Sequence, residues 1–132
     1  MQFIVPSPMS AKMGFTQSGK PSSHTLSNTG QRRFLVVEFD DGTLDQQAAI
    51  HYHLGTKFPL TLIVFSGSKS LHGWYYVQGL TESHAKEFFN YACSLGADRA
   101  TWTKSQFVRM PNGVRNNGQK QSVIFLNPKT IK

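Results

Sequence analysis

Three short apolar runs set the terms on which this chain can fold. FLVVEF (34–39), LTLIVF (60–65) and HGWYYV (72–77) are β-branched and aromatic runs of strand length, bounded by turn and helix-start signals. After the first run, Asp41-Gly42 turns the chain. Thr43 with Gln46 three residues later then forms a capping box, which predicts a helix to about Leu54. Gly55 and Pro59 break that helix, and the polar segment SGSKS (66–70) joins the second run to the third. Thr81 with His84 opens a second helix over about 82–95, with Ala85, Phe88, Phe89, Ala92 and Leu95 on one side and Gly96 at its end. QFVRM (106–110) and SVIFL (122–126) read as two final strands. The order β-α-β-β-α-β-β predicts an α+β fold, an antiparallel or mixed sheet with its helices packed on one face.

At 132 residues the chain is the size of one domain, and 39% apolar against 16% charged residues excludes a charge-rich disordered chain. The single cysteine, Cys93, permits no internal disulfide and no cysteine-based zinc site. No apolar run reaches the roughly 18 residues of a membrane span, and MQFIVPSPMS lacks the features of a signal peptide, so no membrane partner and a cytoplasmic location are expected. Residues 1–31 are rich in Ser, Thr, Gly and Pro. They read as a short strand at Phe3-Ile4-Val5 followed by an extended or mobile arm, leaving 32–132 as the core domain.

The net charge of +7 is unevenly spread. Residues 1–37 carry four basic residues and no acid; 38–98 hold all seven acids against three lysines; 99–132 carry seven basic residues and no acid. Such a chain can set an acidic spot in basic surroundings. Metal-dependent enzymes acting on nucleic acid need that arrangement, with carboxylates for the cation and Lys or Arg for phosphates.

Four segments carry candidate chemistry. Glu38 and Asp40 alternate on a strand, so they share a face about 6.6–7 Å apart and can converge on a hard divalent cation. The loop from Ser66 through Lys69 and Ser70 to His72 offers small residues for a phosphate nest, with Lys69 and His72 as added donors. It is not a Walker loop, because a strand follows it instead of a helix. Asp98 follows the second helix in Gly96-Ala97-Asp98. RMPNGVR (109–115), extended by NNGQKQ (116–121), supplies Arg109 and Arg115 for phosphates and several amides for bases or sugars.

In their order, VVEFD (36–40), SGSKSLH (66–72), GAD (96–98) and RMPNGVR (109–115) resemble the archaeo-eukaryotic primase superfamily, closest to the primase-polymerase domains of phages, plasmids and mobile elements. The resemblance covers about residues 33–127, as a minimal or truncated catalytic core, and implies an RRM-like sheet. It implies that Glu38, Asp40 and Asp98 hold Mg²⁺ or Mn²⁺, and that Ser66, Lys69, Ser70 and His72 contact the triphosphate. Arg109 and Arg115 would lie near nucleotide or template phosphates. The implied activity is primer synthesis from NTP or dNTP on a single-stranded DNA template, with a separately encoded replicative helicase as a further partner.

Two other readings come from the same residues. A catalytically inactive nucleic-acid-binding domain of the same fold would stack bases on Trp74, Tyr75, Tyr76 and Phe107. A rolling-circle replication nuclease would use His51-Tyr52-His53 with Tyr91 as nucleophile. That needs 44–54 to be a strand, since two positions along a helix differ by about 200° in direction.

Overall fold

A computed structural model describes residues 2–6, 14–15, 21–22, 30–103 and 107–131. Its strands are β1 (Phe3–Ile4), β2 (Gly14–Phe15), β3 (Pro21–Ser22), β4 (Phe34–Glu38), β5 (Leu60–Phe65), β6 (Leu71–Tyr76), β7 (Val108–Arg109) and β8 (Val123–Leu126). The helices are α1 (Leu44–Leu54) and α2 (Glu82–Ser94), with short 3-10 turns at Arg99–Trp102 and Pro128–Thr130. The fold is α+β. Its main sheet is antiparallel throughout, in the order β4-β6-β5-β8.

Alternation along the strands sorts the apolar residues into two cores. Leu35, Val37, Tyr75 and Val77, with Phe39 beyond the end of β4, meet Leu54 of α1 and Phe88, Phe89 and Ala92 of α2. On the other face, Val36, Val64 and Trp74 pack against Val108. Both helices therefore lie on one side of the sheet, and β7 covers the other.

Both helix starts form as the sequence predicts. The Thr43 hydroxyl accepts from the Gln46 amide while the Gln46 side chain accepts from the Thr43 amide. Thr81 caps α2 through the His84 amide. Leu95 departs from expectation: it caps α2 and is exposed, while Ala97 is buried in its place. Of the last two runs, 122–126 forms β8 beside β5 as expected, and the other differs. Among the described residues of the 106–110 run only Val108–Arg109 is strand, and it pairs with β1, not with the main sheet. Gln106 lies outside the described residues. The Phe3-Ile4 start of the N-terminal arm thus belongs to the layer over the second core, while most of the arm lies outside the described residues. No helix among the described residues is long and apolar enough to cross a membrane.

Helix α1 meets the sheet mainly through polar groups. Gln47 and His51, one turn apart on its inner face, are both fully buried. The His51 imidazole lies 2.9 Å from the Tyr75 hydroxyl through Nδ1 and 2.9 Å from the Leu71 carbonyl through Nε2. Gly73 makes room for it: a Cβ there would lie 2.5 Å from His51 Nδ1.

Burial holds His51 down to about 4, below its ordinary 6.5. The unfolded chain takes up that proton first as the pH falls, so His51 withdraws stability between pH 6.5 and about 4. The loss is at most on the order of 3 kcal/mol. We expect His51→Gln to be less stable than wild type at pH 7 and to lose less on acidification. Denaturant midpoints at pH 7 and pH 4.5 check this; parallel losses in the two proteins would contradict it.

Candidate active site

The cavity of interest lies on the helix-free side of the sheet, between the ends of β4 and β6 and the β1–β7 layer. It has a volume of about 280 Å³. Glu38, Asp40, Ser66, Lys69, Ser70, His72, Arg109 and Arg115 all line it, together with Phe3, Ser68, Phe107 and Val108. Apart from Asp98, every residue singled out in the sequence for metal or phosphate chemistry is therefore on one wall or another of it.

Asp98 reaches the same place from α2. The Gly96 amide donates to the Cys93 carbonyl and the Ala97 amide to Ala92, while Gly96 takes a positive φ of 106°. These paired bonds close a helix sharply on a left-handed glycine. The chain then returns to the sheet, where the Asp98 amide donates to the Glu38 carbonyl at 2.9 Å. The Asp98 carboxylate caps the following 3-10 turn by accepting from the Ala100 amide at 2.9 Å. One oxygen each from Glu38, Asp40 and Asp98 lie within 4.8 Å of one another.

Three acids this close repel, and the most sheltered yields. Burial first, then Asp98 through its charge and a shared hydrogen bond, then the charge of Asp40, push Glu38 up to about 7; Arg109 opposes them. Hard oxygen donors on three converging side chains suit Mg²⁺ or Mn²⁺, which would replace that shared proton as the compensating charge.

His72 sits directly opposite Glu38 in the β4–β6 register, with Nε2 3.1 Å from the carboxylate. Burial, then the charges of Arg109 and His51, hold the imidazole down to about 4, so it is neutral at pH 7. The contact is therefore a hydrogen bond from a neutral ring and not an ion pair. With Nε2 donating to ionised Glu38, Nδ1 is a buried acceptor without a partner among the described residues.

The 66–70 loop is preorganised from within. Ser66 is buried, and its hydroxyl accepts from the Ser68 and Ser70 amides at 3.3 and 3.1 Å. Those two amides close the turn, whereas the nest reading has them pointing outward at a phosphate. Lys69 and Ser68 are left exposed at the cavity. Gly67 has a φ of 86°, and a Cβ there would lie 2.9 Å from Arg115 Cδ, whose guanidinium donates to the Ser66 carbonyl at 3.2 Å.

Two glutamines hold this site in ways the sequence does not signal. Gln47 donates to the carbonyls of Asp41 and Lys69 at 3.2 and 3.1 Å and accepts from the Leu71 amide at 2.8 Å, tying the acidic strand end to the loop. Gln121, expected to offer its amide to a base or sugar, is fully buried. It bonds the Gln2 and Met110 carbonyls and accepts from Arg109. The capping-box spacing that locates α1 gives no sign of Gln47, and nothing local links Gln121 to Gln2.

The aromatic stacking surface and the histidine pair named in the two other readings are not assembled as expected. Trp74, Tyr75 and Tyr76 are buried and cannot receive bases; of the four aromatics, Phe107 alone is exposed. His51 and His53 lie on a helix, one fully buried and the other exposed against the Tyr91 hydroxyl at 2.7 Å. No family model, curated protein or solved structure matches this chain.

Like-charge repulsion at a ligand cluster costs stability when no cation is present. We expect Glu38→Gln to stabilise the metal-free protein by about 1–2 kcal/mol at pH 8. Urea melts in the presence of a chelator measure it, and a loss of stability would show that the three acids are held by other, favourable contacts.

Proposed function

We propose that this chain is a metal-dependent nucleotidyltransferase of the primase-polymerase type, making primers on single-stranded DNA. The observation that carries the reading is the convergence of Glu38, Asp40 and Asp98 within 4.8 Å beside a cavity that also holds Lys69, Arg109 and Arg115. Asp98 is separated from the other two acids by two helices and a strand pair, so their meeting is a product of the fold.

The RRM-like topology belongs to this reading. Strands β4, β6 and β5 are neighbours in that order, and both helices pack on one face, which supports it. β8 beside β5 and β7 outside the main sheet are features of this chain.

Glu38, Asp40 and Asp98 would hold Mg²⁺ or Mn²⁺; such an ion supplies Lewis-acid stabilisation of the charge on a reacting phosphate. Lys69, Arg109 and Arg115 neutralise the triphosphate, with the two guanidiniums able to bind oxygens in pairs. Gln47 and Ser66 hold the loop so that Lys69 faces the cavity without reorganising. His72 orients Glu38 from below, the outer-shell role that fixes a ligating carboxylate. A 3′-hydroxyl entering this site attacks the α-phosphate, and pyrophosphate leaves toward the Lys69 and Arg115 side. A cytoplasmic location and a separately encoded helicase fit this activity and are part of the proposal.

Incorporation of labelled NTP and dNTP on single-stranded DNA, with Mg²⁺ and then Mn²⁺, tests it. Glu38→Ala combined with Asp40→Ala should reduce incorporation at least about a hundredfold while largely sparing DNA binding. Equal synthesis by the double variant would overturn the metal assignment. A wild-type chain that binds DNA and incorporates nothing would favour the inactive binding domain.

A further inference from the structure

The strand at the far edge of the main sheet is both apolar and exposed. β8 pairs with β5, and its other edge has no strand partner among the described residues. Ile124, Phe125 and Leu126 are 55%, 42% and 61% exposed. Both faces of the strand contribute. Leu126 lies opposite Leu62, which packs on the second core, whereas Ile124 and Phe125 line cavities on the α1 side. An open edge presents a row of backbone donors and acceptors, and monomeric chains usually blunt it with a charge, a proline or a covering segment. β8 itself carries neither charge nor proline.

The apolar surface continues onto α1. Two cavities, of about 400 and 330 Å³, follow the groove between α1 and β8 and share Ala48 as a wall. Tyr52 of α1, 80% exposed, lines the larger one. Helix and strand run in the same direction along this groove. Asp45, in the first turn of α1, lies beside Ile124, and Thr56, just past the helix, lies beside Asn127 and Thr130. The two ends carry opposite charge, with Asp45 at the first and Lys129, in the Pro128–Thr130 turn, at the second. Both side chains are exposed. A strip with an apolar middle, an acid at one end and a base at the other is complementary to itself after a half-turn.

We propose that two copies of this chain pair edge to edge through β8, antiparallel about a two-fold axis, so that their main sheets become continuous. A two-fold axis normal to the sheet makes two identical edge strands antiparallel, which is the hydrogen-bonding arrangement this sheet already uses. The same half-turn carries the Asp45 end of each groove to the Lys129 end of the other. Pairing satisfies the open edge of β8 and takes Ile124, Phe125 and Tyr52 out of water, which supplies the driving force. β4, which bears Glu38, is at the opposite edge of the sheet. The acidic cavity therefore stays open in both copies, and the proposal is independent of its chemistry.

Sedimentation equilibrium of the full chain tests this, at physiological salt to screen the net charge of +7 on each copy. Between roughly 1 and 200 μM the mass should rise from one chain to two and no further, as a small closed contact requires. Leu126→Lys puts a charge on the open edge and should keep the chain monomeric throughout. Asp45→Lys and Lys129→Asp each set like charges together and should weaken pairing at least about fivefold, while the two combined should recover most of the loss. Thermal melts show that each variant is folded, and the charge reversals, at exposed positions, leave the core untouched. A wild-type chain that stays monomeric over the whole range overturns the proposal, as does a mass that grows beyond two. A dimer that Leu126→Lys and both reversals leave unchanged forms elsewhere on the surface, which also overturns it. Weakening by both single reversals with no recovery in the combined variant overturns the two-fold arrangement.

Discussion

The register between β4 and β6 is the constraint on which the site depends. It sets Glu38 opposite His72 and Val37 opposite Gly73. A slip of β4 by one residue would turn Glu38 toward the helices and put Val36 on the wrong side. Apolar contacts on both faces resist such a slip, because Leu35 and Val37 face one core and Val36 the other. Helix α1 adds a polar lock. His51 fills the space that Gly73 leaves and bonds Leu71 and Tyr75 on either side of it. Gln47, one turn earlier, engages Lys69 and Leu71. The same helix face therefore fixes both the strand and the loop that lead to the cavity.

The electrostatics of the site oppose this order. Glu38, Asp40 and Asp98 crowd together in a partly buried setting, and Glu38 relieves the strain by binding a proton up to about pH 7. Arg109 offsets part of the repulsion. Stability given up to assemble like charges is the usual signature of a site built for a counter-ion. The sequence's charge blocks meet here: the acidic central block provides the carboxylates and Lys69, and the basic final block provides Arg109 and Arg115.

Much of this was legible because it is local. The runs at 34–39 and 60–65, the capping box at Thr43 and Gln46, and Gly96 at the end of α2 each carry their own short-range signal. Glu38 and Asp40 share a side because strands alternate. Contacts between distant segments were not legible. β7 takes Phe3-Ile4 as its partner, about a hundred residues away in the chain, so the strand expected at 106–110 leaves the main sheet. The inner face of α1 is Gln47, His51 and Leu54, a mostly polar stripe that a search for apolar periodicity passes over. Trp74 and Tyr76 read as base-stacking candidates because composition does not reveal that β7 covers the sheet face they occupy. Phe3 was visible as strand-forming, and its place at the cavity follows only from the pairing with Arg109.

The central claim is that Glu38, Asp40 and Asp98 together hold one divalent cation. Crystals grown with MnCl₂ and measured at a wavelength where manganese scatters anomalously give the most direct test. The expected result is a single strong peak among the three carboxylates, with at least one oxygen of each residue at roughly 2.0–2.3 Å, typical of a hard cation with oxygen ligands. Full manganese occupancy elsewhere, with no peak among the three carboxylates, would contradict it.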